Sequence, residues 1–401
     1  MNRLRVFLNT EAAGGIVLLG ATLAALLVAN SPVADSYESL WRADVRFAWG
    51  GFEVAQDIRH WINDGLMTLF FFVVSLEIKR ELVVGELNDK RRAMIPVVAA
   101  LGGMAVPALI YAAFNAGGSG ASGWGIPMAT DIAFAVGVLA LLSDRIPSGL
   151  KVFLLSLAIV DDIGAILVIA LFYSGGIEFA WLITAAGLLA LVVLLRRLKI
   201  HWVPVYVVVG IAVWLATLES GIHATIAGAA LGLLTPARPS DPRGSEAVSV
   251  AESLEHLLHP WTSYVVIPLF ALANAGIVLS VDAILGAFSS SVATGIVGGL
   301  VVGKIIGISG ATWLAVRLNL GRLPEGVHWR HVVGASTVAG IGFTVSIFIS
   351  ALAFDDKDLV AEAKMGVFLA SLVAGLAGAA VLAIGHRKSG HQGMTQQIEP
   401  P

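Results

Sequence analysis

Long apolar runs, separated by short polar and basic segments, fill most of this chain. A helix that crosses a bilayer needs about 20 mainly apolar residues. By that measure the pattern predicts twelve spans: 13–30, 60–82, 93–114, 124–142, 150–173, 179–195, 203–217, 221–235, 260–279, 288–316, 329–353 and 360–385. The seventh and eighth are short, with only Glu219 and Gly221 to divide them. The expected fold class is therefore an all-α polytopic membrane protein. Two stretches read differently. Residues 43–56 alternate apolar and polar side chains about Gly50–Gly51, which predicts a β-hairpin. A lone hairpin is marginal in water, so its edges either pair with something, such as a second copy, or lie as an ordinary surface hairpin. Residues 236–259 start turn-rich and end in an amphipathic helix, AESLEHLLH, that leads into the ninth span.

The basic residues test this parse. With a cytoplasmic N-terminus, 19 of the 25 Lys and Arg fall in cytoplasmic segments and four on the other side, with Lys304 and Lys364 inside spans. That is the bias the positive-inside rule requires, and one span more or fewer would scramble it. Both termini are expected in the cytoplasm. Arg3 and Arg5 ahead of the first apolar run resemble the charged start of a signal peptide. No small-residue cleavage site follows cleanly, so the run is read as the first span.

Charges inside spans cost about 2.5–3.5 kcal/mol each on insertion scales, which makes them functional candidates. The fifth span, VFLLSLAIVDDIGAILVIALF, carries only Asp161 and Asp162, near its middle. Neighbours on a helix diverge by about 100°, so the pair is expected to line a water-filled cavity. Two close carboxylates raise one another's proton affinity. A proton and a hard cation then compete for them, which is the basis of proton/cation exchange. In the fourth span, Pro127 precedes Thr130–Asp131. Proline removes a backbone donor, and Thr and Asp cap helix starts, so the helix is expected to break and restart after Asp131. The eleventh span has Gly334, Gly340 and Gly342 with several hydroxyls and no acid. If spans 3–5 and 10–12 are repeats, these interruptions correspond, as transporter sites do. Lys304 stands beside Gly295, Gly299, Gly303 and Gly307, a ridge for close helix packing, and an aspartate is its natural partner.

Other charges are ambiguous. Glu77, Lys79, Arg80 and Glu81 form either a charged funnel or a solvated helix end. Glu252, Glu255, His256 and His259 fall at i, i+3, i+4 and i+7 on one helical face, as a pH sensor would, with a resident metal site the lesser reading. His223 has the same ambiguity, and Asp64 is placed to line an entry path.

Composition narrows the classes. The chain is 57% hydrophobic and 13% charged, against about 25% charged in soluble domains. It has no cysteine, which excludes disulfides and thiolate chemistry. A net charge of −3 gives no sign of a nucleic-acid partner. Gly118–Gly123 formally matches G-x-G-x-x-G, but no strand precedes it, so nucleotide binding is rejected and no cofactor is expected. Nor does any nucleophile–base pair within the spans suggest an enzyme.

Several motifs together carry a resemblance: ATDIAF at Asp131, AIVDDIGAI at Asp161–Asp162, ESGIHATIAG at His223, EHLLHPW from Glu255, PLFALANAG from Pro268, and Gly303–Lys304. Over essentially its whole length the chain resembles the NhaA family of sodium/proton antiporters. The resemblance implies inverted repeats over spans 3–5 and 10–12, with helices 4 and 11 broken at mid-membrane. It implies one transporter domain over 1–390, with core repeats at 93–173 and 288–385 and a disordered cytoplasmic tail at 391–401. It implies electrogenic, pH-activated exchange of cytoplasmic Na⁺ or Li⁺ for external protons in a bacterial inner membrane. Asp162 and Asp161 would bind cation and proton, with Asp161 also pairing with Lys304. Thr130 and Asp131 would support the broken helices. Glu77, Glu255, His256 and His223 would belong to the pH response, with Arg80, Glu81 and Glu252 beside them, and the hairpin would join a homodimer. A sodium-coupled solute symporter is the alternative.

Overall fold

The computed structural model describes residues 3–49, 52–142, 146–200, 202–238 and 249–392. The Gly50–Gly51 turn, the turn-rich stretch after Arg238 and the tail beyond Gln392 lie outside the described residues. The elements follow in order. Helix α1 (Arg3–Ala29) bends by 118° into α2 (Ala34–Trp41). Strands β1 (Asp44–Trp49) and β2 (Phe52–Asp57) pair antiparallel, from Asp44 opposite Asp57 to Trp49 opposite Phe52. Helices α3 (Ile58–Val83) and α4 (Lys90–Asn115) come next. A 3₁₀ helix (Ala121–Met128) precedes α5 (Ile132–Leu141). Helices α6 (Ser148–Phe172), α7 (Phe179–Arg197), α8 (Val203–Glu219) and α9 (Thr225–Leu234) follow. Helix α10 (250–274) includes one widened π turn, Thr262–Val266. Then come α11 (Val281–Ser289), α12 (Ser291–Arg317), α13 (Trp329–Val338), α14 (Phe343–Ala353) and α15 (Lys357–Gln392).

Among the described residues, seven helices are long and apolar enough to cross a membrane, or nine if each bent pair counts as one span. The second bent pair is α13–α14, with 47° between its halves. Large apolar side chains stand exposed along the helices, for example Ile183 and Leu194 on α7 and Val208 on α8. Such a surface suits lipid and would be costly in water.

Local structure sharpens the apolar pattern in two places and departs from it in a third. Helix α1 ends at Ala29, where the Asn30 side-chain amide donates to the Leu26 carbonyl at 2.8 Å and satisfies an end carbonyl. Helix α10 begins at Val250, where the Ser249 hydroxyl accepts from the Glu252 amide at 3.1 Å, and runs on past Pro260 without a boundary. The expected connection at 280–287 holds most of α11, whose start is capped by Ser280 accepting from the Ala283 amide at 2.9 Å.

The chain divides into two compact units. One holds the chain through Ile16, Asp89–Asp162 and everything from Ser280 onward, and the other holds Val17–Asn88 and Ile163–Leu279. In the first unit α4 and α12 lie backbone to backbone. A Cβ added to Gly307 would sit 2.2 Å from the Gly102 carbonyl oxygen, and one on Gly303 2.9 Å from Pro107 Cα. Gly299 meets Pro127 in the same way, and Gly295 meets Asn115. The glycine ridge on α12 is thus filled by small or flat partners along its whole length, which sets the depth of Lys304. In the second unit the apolar side of α10 packs on α3, where Leu76, Ala237 and Ala251 are buried with Phe72, Val83 and Leu254.

The ridge yields a prediction. Gly307→Val must push α4 and α12 apart, at a cost of about 1–3 kcal/mol. Thermal unfolding of the purified protein in detergent should shift down by several degrees, and an unchanged midpoint would refute the contact.

Candidate functional site

Thr130 and Asp131 sit where backbone leaves helical geometry. The 3₁₀ helix ends at Met128, Ala129 is extended, and α5 restarts with Asp131 as its N-cap. On the facing segment, α13 ends at Val338 and α14 begins after Gly342. The freed polar groups of these two segments satisfy one another. The Asp131 amide donates to the Ile341 carbonyl at 2.6 Å, and the Thr130 hydroxyl donates to the Ala339 carbonyl at 3.0 Å.

The Asp131 carboxylate ties the two helix starts together. Oδ1 accepts from the Phe134 amide at 3.1 Å, capping α5. Oδ2 accepts from the Thr344 amide at 2.9 Å and the Thr344 hydroxyl at 2.6 Å, in the first turn of α14. A negative group at two helix N-termini is favoured by the donors and by both helix dipoles. Gly340 and Gly342 permit the approach: a Cβ on Gly340 would meet the Leu300 carbonyl at 2.4 Å, and one on Gly342 the Ser346 hydroxyl at 2.3 Å.

Lys304 reaches this crossing from α12, one residue beyond a π turn at Gly298–Gly303. It is fully buried, and its Nζ donates to Asp161 Oδ2 at 2.7 Å, to Thr130 Oγ1 at 3.0 Å and to the Met128 carbonyl. A lysine Nζ only donates, so the Thr130 oxygen accepts from it. Three acceptors match the three donors of an ammonium, which has no acceptor of its own. Lys304 thus has an acceptor for each of its donors, and Asp161 is its carboxylate partner. Asp161 is 1% exposed and Asp162 5% exposed, one after the other on α6. Asp161 Oδ1 is buried with no hydrogen-bond partner among the described residues. An oxygen of that kind has strong reason to take up a proton or a cation.

The remaining candidates belong to the other unit. Arg80 Nε lies 3.1 Å from Glu255 Oε2 and its guanidinium 3.4 Å from Glu81 Oε1. The Arg80–Glu255 pair is close but not aligned as a hydrogen bond, so its attraction is coulombic. Glu255 is buried while His256, the next residue, is exposed, so they do not share one surface. Glu77 is buried, and Glu252 is half-buried in the first turn of α10. Burial pushes the Glu255 carboxyl above the ordinary carboxylate range, against the opposing pull of Arg80 and His256. His223 Nε2 lies 2.7 Å from the Tyr173 carbonyl. A carbonyl only accepts, so Nε2 carries the hydrogen. The Asp64 carbonyl accepts from Trp214 Nε1 at 3.0 Å. Among the described residues no group of three or more His, Asp or Glu could hold a metal ion.

Sequence reasoning missed Thr344 and the carbonyls of Met128, Ala339 and Ile341. Thr344 had a signal, a hydroxyl just after Gly342 at an expected helix start. The carbonyls had none, since every residue has one.

Long apolar helices, with an ion pair buried among helix ends, define a multi-pass membrane protein with an ionisable centre. The family model described as Na+/H+ antiporter 1 matches residues 5–382. The chain is 45% identical over 375 residues to "Na(+)/H(+) antiporter NhaA 2" of Clostridium beijerinckii, covering 94% of this chain and 92% of the relative. It is 48% identical over 417 aligned residues to the "Na(+)/H(+) antiporter NhaA 2" of Sorangium cellulosum, covering 94% and 88%. Against the "Na(+)/H(+) antiporter NhaA" of Yersinia enterocolitica the identity is 45%, covering 95% and 96%. The chain belongs to the NhaA family of Na⁺/H⁺ antiporters.

The double cap at Asp131 is testable by stability. Asp131→Ala removes both caps and should cost about 1–4 kcal/mol, counting roughly 0.5–2 for each. Asp131→Asn should cost less, because asparagine still caps one start. Equal thermal midpoints for the two variants would contradict the arrangement.

Proposed function

We propose that this protein is a secondary transporter, not an enzyme, that exchanges Na⁺ for protons across the membrane, with Asp161 and Asp162 as the exchanging groups. The observation that carries the reading is the buried carboxylate pair, with Asp161 held by the Lys304 ammonium. Asp162 is the main cation ligand. Asp161 trades between its lysine partner and the transported species, through the oxygen that lacks a hydrogen bond. A proton and a Na⁺ or Li⁺ ion neutralise the same carboxylates, so each displaces the other. That mutual exclusion couples the two fluxes. Unequal charge counts make the exchange electrogenic when more than one proton enters per cation.

The full architecture in this reading has twelve spans. The nine long or bent spans are joined by α8, α9 and the apolar part of α10. Spans four and eleven break at mid-membrane, at Asp131 and at Gly340–Gly342. The core repeats are 93–173 and 288–385 within one transporter domain over 1–390, and the grouping of Asp89–Asp162 with the chain from Ser280 brings most of the first together with the second. The positive-inside bias supports a cytoplasmic location for both termini, with the protein in a bacterial inner membrane. The hairpin is the contact of a homodimer.

Glu77, Arg80, Glu81, Glu252, Glu255, His256 and His223 supply the pH response. Glu255 lies on the lead-in to the ninth span, and its raised affinity for protons keeps it neutral over a wider range than a free carboxyl. It becomes a charged partner of Arg80 as pH rises. Activity that requires the charged partner therefore switches on toward alkaline pH.

Two experiments check this reading. In proteoliposomes with an imposed pH gradient, Asp162→Asn should abolish Na⁺-dependent dissipation, and undiminished exchange would refute the proposed site. Glu255→Gln fixes the neutral form at every pH, so the rise in activity toward alkaline pH should be lost. A rise that persists unchanged would remove Glu255 from the response.

A further inference from the structure

Helix α11 was not expected from the apolar pattern, and its surface divides into three sectors. Val281, Leu285 and Phe288 are 73%, 61% and 71% exposed. Successive residues turn by about 100°, which places these three within a sector about 60° wide. Ala283 and Ala287 occupy the side turned to the protein, where Ala287 is buried. Asp282 and Ser289 are exposed on the third side, and Asp282 is the only charge on the helix. A helix in water needs two sectors, polar and buried. A third, apolar and exposed, is the signature of a helix lying in a membrane boundary.

Depth along α12 points the same way. Ser290 alone joins α11 to α12, and its hydroxyl accepts from the Ala293 amide at 3.1 Å and donates to Glu362 at 2.6 Å. The corner is therefore fixed. Lys304 follows Ser290 by fourteen residues, about 21 Å along the helix. Half a bilayer with its headgroups is about 20–22 Å thick. If Lys304 lies at the midplane, as its place at the crossing of interrupted segments requires, α11 lies at headgroup level. Its exposed stripe is then at the top of the acyl chains.

We propose that α11 is an interfacial float: it lies along the bilayer boundary, sinks Val281, Leu285 and Phe288 into the acyl region, and keeps Asp282 in water. Its occupant is lipid, and by the bias of basic residues the leaflet is the outer one. Through the rigid corner at Ser290 the float sets the depth of Lys304 in the membrane. The depth argument rests on the transport site proposed above, but the test reads lipid contact alone.

The cysteine-free chain allows single labelling sites. Val281→Cys, Leu285→Cys, Phe288→Cys and Asp282→Cys would each carry a nitroxide label in the full-length protein. The protein would be reconstituted in phosphatidylethanolamine–phosphatidylglycerol vesicles. Power saturation then compares collision with oxygen, which concentrates in lipid, and with a water-soluble nickel chelate. The three stripe positions should favour oxygen several-fold, and position 282 should favour nickel. Nickel accessibility on the stripe equal to that at 282 would place the helix in water and overturn the proposal. Exclusion of both reagents from the stripe would overturn it in favour of a second copy of the chain. Three separate stripe positions keep the result readable if one variant folds poorly. Undiminished Na⁺/H⁺ exchange in each variant certifies its fold, while loss of exchange with oxygen preference intact would count against the transport reading and not against the float.

Discussion

The ammonium of Lys304 is the point on which the first unit depends. An isolated charge at membrane depth would be expelled or neutralised, and this one is retained because three acceptors converge on it. One is the Asp161 carboxylate, one the Thr130 hydroxyl, and one the Met128 carbonyl. Two of the three come from a segment that is not α-helical. An unbroken helix through residues 128–131 would have spent the Met128 carbonyl on its own ladder and left the lysine short of a partner. The interruption and the buried charge therefore require each other. The same interruption exposes helix starts, and Asp131 closes two of them with one carboxylate.

Such a centre is not built for stability. Replacing a buried ion pair by apolar side chains of similar volume is often neutral or stabilising. In the proposed exchange, the pair provides a carboxylate whose partner can change. Asp161 holds Lys304 with one oxygen, while the other has no hydrogen bond. Asp162 follows on the same helix, close enough that a charge taken up by one is felt by the other. The surrounding packing is correspondingly tight, with glycines of α12 against Gly102, Pro107 and Pro127.

The chemistry was more legible in the sequence than the geometry was. Asp161, Asp162 and Lys304 stood out because charge is rare and costly in apolar runs. The glycines at 295, 299, 303 and 307 announced a packing ridge by their spacing alone. The restart of a helix after Asp131 followed from Pro127 and the capping habits of Thr and Asp. The short helix at 281–289 escaped, because a stretch of nine residues with a charge reads as a connection when the test is span length. Glu255 and His256 read as one face of a helix. They part in the structure because Glu255 turns in to Arg80 while His256 faces out.

The sequence by itself determined the class of protein, the rarity of charge within its apolar runs and the segments where a helix cannot continue. These depend on hydropathy, proline, glycine and capping, which are local properties of neighbouring residues. Only the tertiary structure decided which aspartate pairs with Lys304, that Thr130 accepts from it while donating to Ala339, and that Asp131 serves two helices. Those facts join residues as far apart as Asp131 and Thr344. Such pairings depend on how the helices cross, and backbone carbonyls, which supply half the partners, carry no mark in the sequence.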